Sequence, residues 1–384
     1  MPPRRRVVRI RDREAVERAA AELAGEFARA EQTIRERMAE QIAAGLAEHP
    51  DDVLRAVRLP QLRDAAASLS RALATEGAER VARIVAAAVE GGHAEALREI
   101  ARVAGADLDT VRAALPNAPA AQAITLELSG VVSGAARGIL RWPDDVYRRA
   151  VASEATQFLL GARRTSREAQ AAAYQRLLSQ GVTGFVDAAG RRWDAATYVE
   201  MATRTATRRA WDTQHEATML ASGLDLVTVI VGSDACRGCA QWAGKILRLD
   251  AGPVGWLTLP RADGPGDVRV FVDGTLPAAR AEQGSHFDGP NCRCRTVAYL
   301  PGLSVPADAT TYDPQAEDER DRLRYLERRV RAAKAAQGAA VTPEQRAAAA
   351  AKVRALQAQI REHVEATGLV RKRYRERVNL GLGA

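Results

Sequence analysis

Leu226-Val-Thr-Val-Ile-Val231 is the clearest strand signal in a chain otherwise written for helices, and Cys236-Arg-Gly-Cys239 follows it directly. A run rich in β-branched residues suits the pleated, packed surface of a sheet. Downstream comes a second tight pair, Pro290-Asn-Cys292-Arg-Cys294, with His286 just before it; these two pairs hold all 4 cysteines of the chain. Lys245–Leu249 and Val268–Val272 are further strand candidates, joined by Gly/Pro-rich loops. Upstream, Gly181–Trp193 reads as a turn-rich hairpin, and a helix is expected from Ala195 to about Ser222, carrying Tyr198, Met201, Arg204, Thr205, Arg208 and Trp211. Together these make a small α+β domain over residues 181–302.

Thiols this close in sequence converge on one point, as a tetrahedral metal requires. The pairs stand 52 residues apart, so joining them closes a long loop. Four ligands would come from Cys236, Cys239, Cys292, Cys294 and His286, with Arg237, Arg293 and Arg295 offsetting thiolate charge. Zinc in a structural role, a disulfide between the two motifs, and reduced buried thiols all remain open readings of the spacing.

The flanks are different. The chain of 384 residues is 47% hydrophobic but only 4% aromatic, so alanine carries much of the apolar count and long helices are favoured. Residues 1–180 read as a helical region. Val16, Ala19, Ala20, Leu23, Phe27, Ala30, Ile34, Met38, Ile42 and Leu46 recur at helical spacing, with breaks expected near Pro60, Gly91-Gly92, Pro116 to Pro119 and Pro143. Residues 303–316 form a linker. Residues 317–384 form a basic helical tail: Leu323, Leu326 and Val330 mark one helix. Thr342-Pro343-Glu344-Gln345 opens a second with a capping box, and Val353, Leu356, Ile360 and Val364 continue it towards Gly368. The fold class is therefore mainly α. No apolar run reaches the roughly 18–20 residues of a bilayer span, and the N-terminus lacks a secretory core, so the expectation is a soluble, intracellular chain with no membrane partner.

The net charge of +8 is concentrated: residues 320–377 hold 16 Lys/Arg against 6 Asp/Glu. Arg371, Lys372, Arg373, Arg375 and Arg377 form its most basic segment and the candidate contact for DNA phosphates, against the alternative of a solvated helix end. Catalytic signatures fail. His215-Glu216 begins like a metalloprotease helix, but Met219 stands at the second ligand position. His93-Ala94-Glu95 has the deaminase H-x-E form without a proline before Cys236. Glu317-Asp-Glu319 has an E-x-E form but stands in polar sequence next to the linker, and no phosphate-cradling loop is present.

The order of motifs resembles a known family. Gly-Val-Thr-x-Phe-x-Asp-x-x-Gly-Arg-x-Trp193 is followed by Tyr198, Arg204-Thr205 and Leu-Val-x-Val before the first cysteine turn. Gln241-Trp242-Ala-Gly244-Lys245-Ile246, Gly289-Pro-Asn-Cys-Arg-Cys294 and Tyr-Leu-Pro-Gly302 complete it. This is similar to the phage minor capsid protein 2 family and the related MuF-like head morphogenesis domain, densely over residues 181–302 and again in the basic helix from Arg322 to Arg331. The histidine that the MuF-like pattern puts directly before Pro-Asn-Cys stands three positions earlier here, as His286. The resemblance implies a non-enzymatic, low-copy component of a phage head, assembled in the host cytoplasm and held inside the capsid near the portal. Its partners would be portal, capsid or scaffold proteins, and packaged DNA through the basic tail. It marks Arg204, Thr205, Trp242 and Gly244 as structural residues. An enzyme carried on a MuF-like scaffold and a zinc-dependent nucleic-acid-binding protein are the alternatives.

Overall fold

The structure is a computed structural model. It describes residues 13–49, 53–103, 118–159, 167–179, 183–186, 192–232, 235–282, 287, 292, 294–306 and 312–377. Helices dominate: α1 (Arg13–Glu48), α2 (Leu59–Ile100), α3 (Ala118–Leu159), α4 (Arg167–Ser179), α5 (Ala195–Ala221), the short α6 (Arg237–Ala240) and α7 (Leu276–Ala281), then α8 (Pro314–Gly338) and α9 (Pro343–Thr367). The strands are β1 (Thr183–Val186), β2 (Arg192–Asp194), β3 (Leu226–Ile230), β4 (Ile246–Arg248), β5 (Gly255–Pro260), β6 (Asp267–Val272), β7 (Gly274–Thr275) and β8 (Arg295–Ala298). The chain is mainly α, as its composition implies. It forms two compact units, each gathered from three separated stretches.

The first unit takes in Val81–Leu128 and Met201–Arg320. Its sheet has the order β7-β4-β3-β8, with β3 antiparallel to both neighbours and β4 parallel to β7. Both faces of β3 are buried, which is why its sequence is continuously apolar or β-branched rather than alternating. Val227 and Val229 join Ala96 and Ile100 of α2, Met219 of α5 and Leu247 in one core. On the opposite face Leu226 meets Ile246, Val270, Val272 and Tyr299. The latter face is closed by the β5–β6 hairpin, whose inner positions Leu257, Leu259 and Val268 pack against that cluster.

Gly91 and Gly92 do not break α2. They let it approach α5: a methyl group on Gly91 would overlap the Trp211 ring, and one on Gly92 would overlap the Trp211 carbonyl oxygen. Glycine here serves close packing, and the helix stays intact because its neighbours and the α5 contact outweigh a propensity loss of about 1 kcal/mol per glycine. The Glu317-Asp-Glu319 stretch is likewise helical. Glu317 lies in the first turn of α8, accepts from the Tyr312 hydroxyl at 2.8 Å and pairs with Arg320 at 3.0 Å. An acidic side chain is favoured at that helix end by the backbone dipole.

The second unit takes in Ala19–Arg80, Ser129–Glu200 and Asp321–Ala384. The predicted α1 stripe is its core, with Leu23, Phe27, Ile34, Met38 and Ile42 buried. Arg35 is buried among them. It donates through Nε to the Leu178 carbonyl at 3.1 Å and through Nη1 to Gln32 at 2.5 Å, pairs with Glu31, and lies 5.6 Å from the Trp142 ring centre. A buried charge is tolerable when each of its nitrogens finds a partner in this way. Pro143 sits inside α3, not at its end, in the stretch where Trp142 and Val146 are core residues. The Ala118–Ala152 part of α3 is also long and apolar enough to cross a bilayer by composition, a property hidden by scattered charges such as Glu127 and Arg137. In this unit its Val132, Ala135, Ala136, Ile139 and Val146 are core residues, and Asp144 pairs with Arg63. β1 and β2 form the expected hairpin, with an irregular register between Thr183 and Phe185.

α8 and α9 pack through the predicted stripes, Leu323, Leu326, Val330 and Ala333 against Val353, Leu356 and Ile360. Thr342 accepts from the Gln345 amide at 3.3 Å, the Gln345 side chain accepts from the Val341 amide at 3.0 Å, and Gly368 ends α9 at φ 71°. Thr342 and Pro343 open α9 as read from the sequence, while the Gln345 side chain takes the amide one residue before the N-cap.

Two glycines test this description with opposite signs. Gly130 in α3 has open space where a side chain would stand. Gly130→Ala is expected to stabilise the protein by about 0.5–1 kcal/mol through helix propensity. Gly92→Ala is expected to destabilise it by about 1–3 kcal/mol, because the new methyl meets backbone that cannot step aside. Urea unfolding of the two variants beside the parent checks both signs.

Candidate metal centre

The antiparallel register of β3 and β8 places Ile230 opposite Arg295. The residues leaving β3 and those entering β8 therefore lie at one end of the sheet. Cys239 in α6 and Cys292 and Cys294 before β8 meet there, with all three Sγ atoms within 4.8 Å of one another. Cys239 and Cys292 are 3.5 Å apart, far beyond a disulfide bond of about 2.05 Å. All four cysteines are free thiols. Sulfurs around tetrahedral zinc, at about 2.3 Å from the ion, stand about 3.8 Å from each other, so the three-cysteine set fits a thiophilic ion.

Cys236 is not among those three. It is the residue before α6, and its carbonyl accepts from the amides of Cys239 and Ala240, at 3.0 and 2.9 Å. Its half-buried side chain caps nothing and packs against the same core as the other three. His286 lies outside the described residues.

Electrostatics divide the three thiols. Hydrogen bonding from Cys239, then from Cys294, holds Cys292 well below the usual thiol range; burial opposes this and the Arg208 charge assists it. Cys239 is pushed up by its contact with Cys292, then with Cys294, and by burial. Cys294 is drawn down by Cys239 but raised on balance by Cys292 and by burial. One thiolate flanked by two thiols is the arrangement expected when like charges in contact cannot all ionise without a cation.

Arg208 supplies positive charge beside the site. Its Nη1 donates to the Cys292 carbonyl at 2.9 Å while its Nε donates to Asp212 at 3.1 Å. Burial lowers its pKa, but Asp212 and Cys292 more than offset that, so it stays charged. The sequence drew attention to Arg204 and Thr205; the arginine that reaches the cysteines is one helical turn further on. Arg204 itself is half-buried on α5, and Thr205 donates to the Met201 carbonyl at 2.9 Å. Asp225, at the approach to β3, pairs with Arg248. The register that carries Arg208 to the cluster is set by tertiary packing and has no local signature.

Trp242 and Gly244 shape the turn from α6 into β4. Gly244 has φ 71°, a left-handed conformation that favours glycine, and donates to the Val229 carbonyl at 2.9 Å. Trp242 donates through Nε1 to Glu282 at 3.2 Å, lies 6.2 Å from Phe287 between ring centres, and carries Lys245 at 4.8 Å from its ring centre.

The failed catalytic motifs are used as internal contacts. His215 pairs with Glu99 at 2.8 Å, and the same carboxylate oxygen accepts from the Ala298 amide at 2.9 Å. Glu216 pairs with Arg280, and Met219 is core. His93 bonds Thr218 at 2.9 Å, and Glu95 accepts from the Trp211 indole at 2.5 Å.

The basic segment proves to be partly internal. Arg371 is held by Glu376 at 2.5 and 2.7 Å, and Arg375 is buried with its carbonyl accepting from Arg331 at 2.7 Å. Lys372 and Arg377 are half-buried, and Arg373 is exposed. Glu376 also accepts from Gln357 at 3.0 Å, while its carbonyl takes Lys334 at 2.7 Å. Local charge counting missed this because the segment is drawn inward by Arg331, Lys334 and Gln357, which lie on α8 and α9.

The family model for phage minor capsid protein 2 matches residues 14–365. The chain belongs to that family. It is a minor capsid protein of a phage virion, in a family of structural capsid proteins, and membership implies association with other head proteins. No curated protein and no solved structure matches it. The family match covers the helical flanks of this minor capsid protein as well as the cysteine-bearing sheet.

Burial pulls the His215 pKa down, but the Glu99 hydrogen bond and the charges of Glu99, Glu95 and Asp212 raise it on balance. A folded pKa above the unfolded value of about 6.5 gives stability that is fully present below that pH and lost as pH rises through the folded pKa. His215→Gln should therefore cost more stability at about pH 6 than at about pH 9. Chemical denaturation at both pH values reads the difference; an equal cost at each would show that the ion pair contributes nothing.

Proposed function

We propose that this protein is a low-copy structural component of the phage head, positioned near the portal on the inner side of the capsid. It would act in head assembly, with DNA packaging or ejection as the stages at which such a component is used. In this reading it is assembled in the host cytoplasm, binds portal, capsid or scaffold proteins, and performs no catalysis. The single observation that carries the reading is the family match over residues 14–365. It is supported by the fate of the catalytic-looking motifs, whose His93, Glu95, His215 and Glu216 are all engaged in internal contacts. Residues 181–302 act as the MuF-like α+β domain in this proposal.

Zinc is the ion we assign to the cysteines, in a structural role. The donor set supports that choice: three thiols within 4.8 Å, no disulfide, and a half-buried arginine beside them. Cys236 and His286 are the two candidates for the fourth position, and a closed four-ligand site leaves no room for a reacting water.

Quantitative mass spectrometry of purified DNA-filled heads is the deciding experiment for location. The expected result is this chain at a few copies per portal. Its absence from both proheads and filled heads would remove the head reading.

Metal analysis of the purified full chain is expected to return one equivalent of zinc. Cys239→Ser, Cys292→Ser and Cys294→Ser should each lose it. Parallel Cys236→Ser and His286→Ala variants identify the fourth ligand. Arg208→Gln is expected to weaken zinc by about 10–100-fold, the usual effect of removing an outer partner of a metal ligand. Full occupancy in all three cysteine variants would place zinc elsewhere.

A further inference from the structure

We propose that the outward face of α8, built from Arg322, Arg328 and Arg329 around Tyr325, contacts the phosphate backbone of duplex DNA. The proposal deepens the head reading by naming the surface that would meet packaged DNA, and it moves that contact away from residues 371–377. The argument begins with the two flanks of α8. On one flank Arg324 pairs with Glu327 at 2.8 Å, and Arg331 and Lys334 donate to the carbonyls of Arg375 and Glu376. Those cations are spent on holding the terminal segment against the hairpin.

The outward flank is arranged differently. Arg322, Arg328 and Arg329 are exposed, and none has an ion pair among the described residues. Tyr325, 38% exposed, lies between two of them, with the Arg322 and Arg329 guanidinium carbons 5.3 and 5.4 Å from its ring centre. Arg329 also donates to the Tyr325 hydroxyl. Spacings of three and four residues put Arg322, Tyr325 and Arg329 on one helical face. Stacking on an aromatic ring fixes arginine side chains before any ligand arrives, which lowers the entropy lost when they bind.

Guanidinium groups without carboxylates, held in place along a rigid helix, suit a row of phosphates. The surrounding charge agrees, since residues 320–377 carry ten more cations than anions. Nothing on this face resembles a base-reading pattern, so the contact is sequence-independent and salt-sensitive.

The test is fluorescence anisotropy of a labelled random-sequence duplex titrated with the full chain over a salt series. Each phosphate contact contributes about 0.9 to the slope of log K against log salt, so replacing all three arginines by glutamine should reduce the slope by about 2.7. Binding at low salt should weaken at least about tenfold with that loss of contacts. The triple lysine variant keeps the charge and should retain most of the slope, which separates charge loss from misfolding. A Lys372→Gln, Arg373→Gln double variant should change the slope far less. The proposal is overturned if the parent does not bind duplex, if the triple glutamine variant keeps the parent slope, or if the double variant alone loses it. It is also overturned if the triple glutamine variant binds DNA normally yet is missing from purified heads, because the face would then serve a protein partner. Normal incorporation of a variant that has lost DNA binding leaves the head assignment standing and supports the DNA surface.

Discussion

The pairing of β3 with β8 is the contact on which the cysteine-bearing unit depends. It joins residues 226–230 to residues 295–298 across some 65 positions of intervening chain. Closing so long a loop costs chain entropy that one short ladder does not recover by itself. The return comes from burial on both faces of β3, and from the sulfur cluster formed where the two strands begin and end. A metal bound at that point would restrain the same loop that the ladder closes, so ligand binding and sheet formation are thermodynamically coupled.

Beside the sheet, the α2–α5 contact combines close backbone approach with buried polar pairs. Gly91 and Gly92 remove the side chains that would hold the helices apart, and Trp211 fills the resulting seam. Glu95, Glu99, His93 and His215 then exchange hydrogen bonds with α5 partners or with one another. Glu99 extends this network to the Ala298 amide, tying the end of β8 to the helical layer. Such pairs add specificity to a seam that small side chains alone would leave free to slide, since an alternative register would bury unpaired charge.

Local signals in the sequence were read well where the cause is local. The hairpin at 183–194, β3, β4, β6, the α9 caps and both stripes of the α8–α9 hairpin follow from turn chemistry, β-branching and periodicity. Glycine and proline misled where tertiary packing decides: α2 runs through Gly91-Gly92 and α3 runs through Pro143. β5 was missed because its Trp256 and Pro260 face outward and its partner is supplied only by β6. In the site, the cysteine spacing revealed the candidate ligands, whereas Arg208 is recognisable only once α5 and the β8 approach are placed together. Residues 371–377 illustrate the reverse limit: their charge was visible in the sequence, and the pairing of Arg371 with Glu376 was not.

The composition of the second unit from three distant stretches has a consequence for timing. Gln175 donates to the Ala336 carbonyl, and Gly338 sits so close to Gln32 that a methyl group would overlap it. The helix that carries Gln32 therefore waits for residues made much later in the chain before its surroundings are complete. High contact order of this kind slows folding and leaves apolar helix faces exposed on the ribosome. A chain interrupted before residue 336 would therefore lack the segment that completes this helical unit, and the apolar faces of its earlier helices would stay uncovered.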